Sequence, residues 1–459
     1  MCVIKKNDDI KVEITAVSVT GSGIGHVNGM AVFVEQTAVG DTVTAHIIKV
    51  NKKYAVGKIK EIIIPSKDRK SVDCGAFKSC GGCSFRHLKY ECELKIKYTA
   101  VYDAMKRIGG IDKKPLEIIP SPLTKRYRNK AQYPLCMGEN GLEYGFYAKH
   151  SHRIVKSETC FLQPEIFDKI TAAFKVWADK YKVSVYDETK NEGILRHLLI
   201  RIGENSGEIM VVVVVNNDDL PYKEELFEIL NKSTKGKITS LQYNINKSDT
   251  NVVLGNVNRV VAGSNKIYDS ICGVKVGIFP NSFYQVNTKA AEILYEKALS
   301  YIDSNDNIIL DLFCGIGSIG LSALKICGKE NRKLIGVEIV NEAVENAKEN
   351  AAMGGYDNCD FICADAKKAA EILYKHRLKP DVVIVDPPRK GCDKGLLDTL
   401  CSGFSPKKII YISCDPATLA RDAKILEAYQ YKLVEYTPVD LFPGTAHVET
   451  VCLLSRKDK

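Results

Sequence analysis

Residues 281–459 alternate between helical stretches and short apolar strands, and this alternation limits the possible folds more than any other feature of the chain. Helices are predicted at 288–301, 318–327 and 342–353, and strands at 308–310, 334–337, 382–385 and 408–412. Strands that alternate with helices form a parallel sheet with helices on both faces. The sequence therefore predicts a doubly wound α/β domain over residues 281–459, with ligands at the carboxyl ends of its strands.

Two further regions precede this domain. Residues 10–64 contain short β-rich runs separated by turn signals such as Asn28-Gly29 and Gly40-Asp41, which predict an OB-like barrel of about five strands in a domain covering residues 1–64. Residues 65–280 include the continuous apolar run 209–215 and predict a β-rich central domain. A helix is predicted at 93–108.

The positive charge of the chain is concentrated in its first 280 residues. The net charge is +9, yet residues 281–459 hold 23 basic and 25 acidic residues. Such asymmetry favours a front end that binds a polyanion, although a solvated basic surface would have the same charge. In the barrel, five lysines cluster as an RNA-binding face requires: Lys49, Lys52, Lys53, Lys58 and Lys60. In the central domain, 125–130 interleaves basic and aromatic residues, and Arg196-His197 precedes a strand.

The longest apolar run, 209–215, is far shorter than the roughly 18 residues that a membrane-spanning helix needs. The first residues also lack the apolar region of a signal peptide. We therefore expect a cytosolic protein without a membrane partner, and we expect it to be a monomer.

The glycine loop after the first strand of the α/β domain indicates a nucleoside cofactor. Gly315-x-Gly317-x-x-Gly320 matches a dinucleotide fingerprint, and Glu338 after the next strand suits a ribose hydroxyl of either NAD or S-adenosylmethionine. An NAD-dependent oxidoreductase is thus one interpretation. However, Asp-x-Phe-x-Gly-x-Gly from Asp311, then Ala364-Asp365-Ala366, then Asp386-Pro387-Pro388 follow the motif order of class I methyltransferases, which the domain resembles.

The residue after Asp386-Pro387-Pro388 and a later cysteine indicate which atom is methylated. Arg389 stands where many methyltransferases that act on base amines have an aromatic residue, which argues against an amine acceptor. Carbon 5 of uracil becomes nucleophilic only after a nucleophile adds to carbon 6, so this reaction needs one thiolate and one base. Cys414 follows a strand and precedes a helix, whose dipole favours the thiolate. Glu449 is the predicted base, and the neighbouring His447 is the alternative.

The windows Ser413-Cys414-Asp415-Pro416 and His447-Val448-Glu449 resemble the nucleophile and base motifs of the (uracil-5-)-methyltransferase family. The resemblance covers nearly the whole chain, and it implies that the barrel is a TRAM domain and that Cys414 and Glu449 are catalytic. It also implies a set of residues that contact S-adenosylmethionine: Gln285, Phe313, Ser318, Glu338, Asp365 and Asp386.

Four cysteines in the central domain form a candidate metal site: Cys74, Cys80, Cys83 and Cys160. Their spacing leaves zinc and an iron–sulfur cluster equally open. The segment resembles the [4Fe-4S] site of the 23S ribosomal RNA (uracil-5-)-methyltransferases, and this resemblance implies such a cluster and a 23S ribosomal RNA substrate. Transfer RNA as the substrate, and an RNA-binding assembly factor with a vestigial methyltransferase domain, are the alternatives.

Overall fold

The strands of the N-terminal region close into a barrel. The computed structural model describes residues 4–330 and 332–456, and the first six strands are β1 (Asp9–Glu13), β2 (Ala16–Val17), β3 (Gly23–Val27), β4 (Met30–Val34), β5 (Thr42–Val50) and β6 (Tyr54–Ile64). They pair in the order β1-β5-β6-β4-β3-β2. Because β2 follows β1 almost directly, one continuous stretch of chain forms both edges of the sheet. In the short link between β1 and β2, Thr15 N donates to Ile24 O at 2.9 Å. The predicted barrel is confirmed, with six strands instead of about five.

A buried carboxylate joins the barrel to the segment that follows it. Asp41 is fully buried, and it accepts bonds from Arg69 Nε at 2.8 Å and Arg69 Nη2 at 2.7 Å. The backbone amides of Ala38 and Ser66 also donate to it, at 2.6 and 2.8 Å. Burial alone raises the pKa of Asp41, but Arg69 and these two amides outweigh it, so the pKa lies below 3.8.

The helix α1 (Tyr90–Ala104) lies between the barrel and the central sheet in sequence, and it continues as a π-helical turn, Met105–Gly109. The predicted helix 93–108 is therefore present. It packs against the C-terminal domain, where Val101 and Met105 share a core with Leu419 and Ala423. The chain after it adds to the edge of the C-terminal sheet, where Ile119 bridges to Val439.

The central sheet has seven strands: β7 (Lys130–Gly138), β8 (Gly141–Tyr147), β9 (Ile154–Lys156), β10 (Leu195–Ile202), β11 (Ile209–Val215), β12 (Ile238–Ile245) and β13 (Val257–Gly263). Their order is β13-β12-β11-β10-β7-β8-β9. All seven residues of β11 are buried, which explains the continuous apolar run. Two helices that the sequence analysis missed, α2 (Glu165–Lys180) and α3 (Lys223–Ser233), cover one face of the sheet with Phe174, Trp177 and Leu226.

A two-stranded hairpin leads into the C-terminal domain. Its strands are β14 (Ile267–Ile271) and β15 (Val274–Ile278). The side chains of Ile267 and Val276 pack in the same core as Leu199 of the central sheet and Leu294 of the C-terminal domain. The hairpin therefore joins the central sheet to the C-terminal sheet.

The C-terminal domain is built on a second seven-stranded sheet. Its strands are β16 (Ile308–Leu312), β17 (Lys333–Glu338), β18 (Cys359–Cys363), β19 (Val382–Val385), β20 (Lys408–Ser413), β21 (Tyr431–Val439) and β22 (Glu449–Arg456). The helices are α4 (Thr288–Leu299), α5 (Ser318–Cys327), α6 (Asn341–Gly354), α7 (Ala366–Lys375), α8 (Lys394–Asp398) and α9 (Pro416–Ala428), with a π-helical turn at Thr399–Phe404. The strand order is β18-β17-β16-β19-β20-β22-β21. Strand β22 runs antiparallel to both of its neighbours, β20 and β21. The order reverses between β16 and β19, which is where open parallel sheets bind ligands.

Among the described residues, none of the helices is both long and apolar enough to cross a membrane.

We predict that Asp41→Asn loosens the barrel. Breaking a buried ion pair by removing one charge costs about 3 kcal/mol, and the loss should appear as faster hydrogen exchange of the barrel amides at neutral pH. Because the pKa of Asp41 is lowered, the stabilisation is present at neutral pH and is lost as the pH falls below 3.8. Asp9→Asn is the matched control, since Asp9 pairs with Lys60 at the surface. Equal exchange rates in the two variants would contradict the prediction.

Candidate active site

The loop between β16 and α5 has an unusual backbone. Phe313, Gly315 and Gly317 all have positive φ angles, of 65°, 54° and 79°. Glycine adopts this conformation without strain, but a bulky residue such as Phe313 does not, and strained residues of this kind occur mainly at functional sites. Gly320 allows α5 to approach the sheet, because a Cβ atom there would lie 2.7 Å from Leu334. The loop is therefore shaped to bring its backbone close to a ligand.

Acidic residues surround this loop. Glu338, at the end of β17, accepts bonds from Gly315 N at 3.1 Å and from Ile339 N at 2.8 Å. Asp311 accepts from Gly320 N at 3.0 Å through Oδ2, while its buried Oδ1 has no hydrogen-bond partner. Burial, with the charges of Asp386 and Glu338 adding to it, raises the pKa of Asp311 to about 8. An unsatisfied buried carboxylate oxygen beside an open glycine loop fits a site that receives a polar ligand.

The other predicted cofactor residues lie around the same end of the sheet. Ser318 begins α5, and its hydroxyl lies 3.1 Å from the hydroxyl of Tyr295 on α4. Gln285 is buried just before α4, and its carbonyl accepts a bond from Asn129 Nδ2 at 2.8 Å. Asp365 caps α7 and accepts bonds from the amides of the first turn. Phe313, Ser318, Glu338, Asp365 and Asp386 thus follow four adjacent strands, and Gln285 lies on the segment that enters α4.

The pairing of β20 with β22 brings Cys414 opposite Glu449. Ser413 and Thr450 are partners in this antiparallel pair, so the next residues in register are Cys414 and Glu449. Asp386 follows β19, the parallel neighbour of β20. Burial, and then the charges of Glu449 and Asp386, raise the pKa of the Cys414 thiol to about 11, while Arg389 opposes them.

The helix dipole expected to favour the Cys414 thiolate is opposed by burial and by the neighbouring carboxyl groups, which raise the pKa of the thiol. The amides of Ala417 and Thr418 at the start of α9 donate to Asp415, at 2.9 and 3.0 Å, instead of to the sulfur. Burial beside two carboxyl groups outweighs what remains of the dipole. Arg389 is the cation next to Cys414 that favours the thiolate.

The two candidate bases differ in their proton affinity. Burial, and then the charge of Asp386, raise the pKa of Glu449 to about 8. Burial, and then the charge of Arg389, lower the pKa of His447 to about 4. His447 Nε2 also lies 3.4 Å from an Arg389 nitrogen. A group with a pKa near neutrality transfers protons more effectively at neutral pH, so these surroundings favour Glu449 over His447.

A buried ion cluster holds the β21–β22 loop, residues 440–448. This loop contains His447 and ends directly before Glu449. Lys97 Nζ on α1 lies 2.7 Å from Glu93 and 2.7 Å from Asp440, and all three side chains are buried. Lys97 also donates to the Phe442 carbonyl at 3.1 Å, and Gly444 N donates to Glu93 at 2.7 Å. Burial raises the pKa of Glu93 to about 7 although Lys97 opposes this. The cluster fixes the loop immediately before Glu449.

The other side of the β21–β22 loop contacts the segment that carries the first three cysteines of the candidate metal site. Ser84 N and Phe85 N both donate to the Gly444 carbonyl at 2.9 Å. The Tyr127 hydroxyl donates to the Pro443 carbonyl at 2.9 Å. The loop is therefore held by α1, by the residue directly after Cys83 and by the central domain.

The four cysteines of the candidate metal site line one cavity of about 60 Å³, together with Phe77, Arg128 and Gln163. Burial raises the pKa of the Cys80, Cys83 and Cys160 thiols, that of Cys83 to about 12. Within residues 4–330 and 332–456, no three metal-binding side chains lie close enough together to hold a single ion.

Comparisons with known proteins agree with this geometry. The model of the tRNA (uracil-5-)-methyltransferase family matches residues 89–457, and that of the TRAM domain matches residues 5–60. The chain belongs to the tRNA (uracil-5-)-methyltransferase family. It is an S-adenosylmethionine-dependent RNA methyltransferase, with a class I methyltransferase domain and an N-terminal TRAM barrel, as the sequence analysis predicted.

Several relatives of this methyltransferase match over nearly their full length. A Clostridium tetani protein described as an uncharacterized RNA methyltransferase is 43% identical over 453 residues, covering 98% of this chain and 97% of that one. A Bacillus cereus protein of the same description is 40% identical over 460 residues, covering 99% and 98%. Among solved structures, the Pyrococcus abyssi tRNA (uracil-54, C5)-methyltransferase in complex with S-adenosyl-L-homocysteine has a TM-score of 0.78 and 27% identity. It covers 97% of this chain and 100% of its own.

We predict that Lys97→Met destabilises the methyltransferase by about 3 kcal/mol, because two buried carboxyl groups lose the cation that they share. Without Lys97, the two carboxyl groups destabilise the folded protein most when they are ionised. The loss in the free energy of unfolding, measured by urea denaturation, should therefore be larger at pH 8 than at pH 5. Lys95→Met, at an exposed position on the same helix, is the matched control. A loss that is independent of pH, or equal in both variants, would contradict the prediction.

Proposed function

We propose that this methyltransferase transfers a methyl group to carbon 5 of a uridine in 23S ribosomal RNA, through a covalent adduct between Cys414 and carbon 6. The observation that carries the proposal is the register of β20 and β22, which sets Cys414 opposite Glu449. A nucleophile and a base that face each other suit a reaction in which both act on one pyrimidine ring. The target uridine must leave its stack to reach this pair, in which Cys414 is partly exposed and Glu449 is buried.

Each step assigns a role to a residue of the chain. The sulfur of Cys414 attacks carbon 6 as a thiolate, and the positive charge of Arg389 favours that form. The electron pair of the former double bond then makes carbon 5 nucleophilic. S-adenosylmethionine supplies an electrophilic methyl group when it is bound. After carbon 5 has taken this group, Glu449 accepts the carbon-5 proton, and the bond between carbon 6 and sulfur breaks as the double bond forms again.

The raised pKa of Glu449 suits this sequence of steps. A neutral Glu449 repels the forming thiolate less than an ionised one does. With a pKa near 8, the same group exchanges its proton readily near neutral pH, so the carboxylate is available when the carbon-5 proton is removed. His447, with a pKa near 4, remains neutral and is a weak base.

S-adenosylmethionine is proposed to lie against the glycine loop. The residues that hold it are Gln285, Phe313, Ser318, Glu338, Asp365 and Asp386. The unpartnered Oδ1 of Asp311, which the sequence analysis did not single out as a cofactor residue, also supports a polar ligand here. In many nucleoside-binding sheets, a carboxylate at the end of the second strand accepts a bond from a ribose hydroxyl of an adenosine. Glu338 occupies that position at the end of β17.

The four cysteines Cys74, Cys80, Cys83 and Cys160 are proposed to hold a [4Fe-4S] cluster. Their convergence on one cavity supports this. When bound, the cluster supplies strong bonds between two segments that are distant in sequence. The Cys83 segment, which contacts the β21–β22 loop through Ser84 and Phe85, is then fixed more firmly.

Transfer RNA is the second candidate substrate. The Pyrococcus abyssi structure is named as a tRNA methyltransferase and matches nearly the whole of this chain, so the N-terminal barrel alone does not separate the two substrates. The cysteine segment and its resemblance to the 23S ribosomal RNA enzymes favour ribosomal RNA. Mapping 5-methyluridine in both RNAs, from cells with and without the protein, distinguishes the candidates.

We predict that Glu449→Gln traps the adduct. Cys414 can still attack and the methyl group can still move, but the carbon-5 proton is no longer removed, so a methylated protein–RNA species should survive denaturing electrophoresis. Adding Cys414→Ala should abolish it, and His447→Gln alone should turn over without trapping it. Accumulation in His447→Gln together with normal turnover in Glu449→Gln would assign the base to His447 instead.

We predict that protein purified without oxygen contains about four iron and four sulfide per chain and absorbs visible light. Cys160→Ser should lower the iron content because it removes one ligand. Cys136→Ser is the matched control, since Cys136 lies on β7 but does not line the cavity. Zinc as the only metal in the wild-type protein would disprove the cluster.

A further inference from the structure

Two cations lie side by side on the face of the central sheet that is turned toward the C-terminal domain. Lys130 on β7 and Arg201 on β10 are register partners, so their side chains project from the same face. Leu199, two residues before Arg201, shares this face and packs in the core that includes hairpin β14–β15 and α4. The opposite face is the one that α2 and α3 cover.

These cations have no counter-charge in the described part of the chain. Neither Lys130 nor Arg201 forms an ion pair there, and the Lys130 ammonium makes no hydrogen bond. Arg201 is only 3% exposed, it donates to the Ser282 carbonyl, and its buried Nε has no partner. Burial, and then the charge of Arg201, lower the pKa of Lys130 to about 7. Among the described residues, no carboxylate relieves this repulsion.

Such a pair is costly for the folded protein. A buried charge without a partner loses its hydration and gains nothing in return, so buried charges in proteins are normally paired. A buried cation next to a partly buried one, without an acid, is therefore expected where an anion from outside completes the group. The hydrogen bond from Arg201 to the Ser282 carbonyl does not by itself explain why a second cation lies at position 130.

The pair also lies beside the proposed active site. Asn129, the residue before Lys130, donates to the Gln285 carbonyl at 2.8 Å, and its backbone amide donates to the Val286 carbonyl at 2.8 Å. Arg201 contacts the same segment at Ser282. An anion held by the two cations would therefore lie next to the residues that lead into α4 and the cofactor loop.

We infer that Lys130 and Arg201 form a binding site for one phosphate group of the substrate RNA, close to the target uridine. The inference rests on the proposed function for the identity of the polyanion, while the anion site itself rests on the side chains. Lys130 is partly exposed, so it is the member of the pair that contacts the phosphate. Arg201 is buried beside it and adds its positive charge with almost no contact with solvent.

The first test measures the affinity for an RNA transcript that the wild-type protein methylates, over a series of salt concentrations. Lys130→Gln should weaken binding roughly tenfold and reduce the slope of log affinity against log salt by about one, because one phosphate contact is lost. Lys130→Arg should keep both values. Lys223→Gln is the matched control, since Lys223 pairs with Asp219 on the opposite side of the sheet. An unchanged slope in Lys130→Gln would overturn the inference.

The second test needs no RNA. Inorganic phosphate should raise the Tm of the wild-type protein more than that of Lys130→Gln, whether or not the protein makes 5-methyluridine, so failure of the site and failure of the proposed function are distinguishable. Without phosphate, the Tm of Lys130→Gln should equal or exceed that of the wild type, because a costly charge has been removed. A lower Tm with an unchanged phosphate response would instead give Lys130 a purely structural role. Weaker binding of S-adenosylhomocysteine with unchanged RNA affinity would assign the site to the cofactor carboxylate, and either result would overturn the inference.

Discussion

One buried ammonium group, that of Lys97, connects two parts of this enzyme that are 343 residues apart in sequence. It lies between Glu93, on its own helix, and Asp440, on the loop before Glu449, and it also reaches the Phe442 carbonyl. Three charges without solvent contribute little net stability. Their contribution is to geometry, because only one arrangement of helix and loop satisfies all of them. The position of Glu449, and through it the chemistry at Cys414, depends on that arrangement.

The catalytic pair shows how burial and charge oppose each other at one site. Burial and the surrounding carboxyl groups stabilise the proton on Cys414 and on Glu449, while Arg389 acts in the other direction. In the free protein these surroundings favour the thiol form of Cys414 over the thiolate.

Much of the C-terminal domain could be predicted from the sequence, because its strands and helices have strong hydrophobic periodicity. The helix 318–327 and the strand 382–385 agree with the structure at both ends, and the glycine motif located the cofactor loop. The cluster at Lys97 could not be predicted, since Glu93 and Lys97 are four residues apart on a helix and look like an exposed surface pair. Helices α2 and α3 were missed in a region dominated by strands. The raised pKa of Cys414 depends on neighbours from two other segments, which local sequence does not reveal.

The position of β22 within the sheet has a consequence for how the enzyme matures. This strand is the last element in the described chain, yet it fills an interior place between β20 and β21. Until it inserts, both neighbours have open edges, and the strand that carries Cys414 lacks the one that carries Glu449. Completion of the sheet therefore also brings Cys414 opposite Glu449, its proposed base. A chain without β22 would hold the thiol of Cys414 with no base opposite it, so the proposed reaction requires the completed sheet.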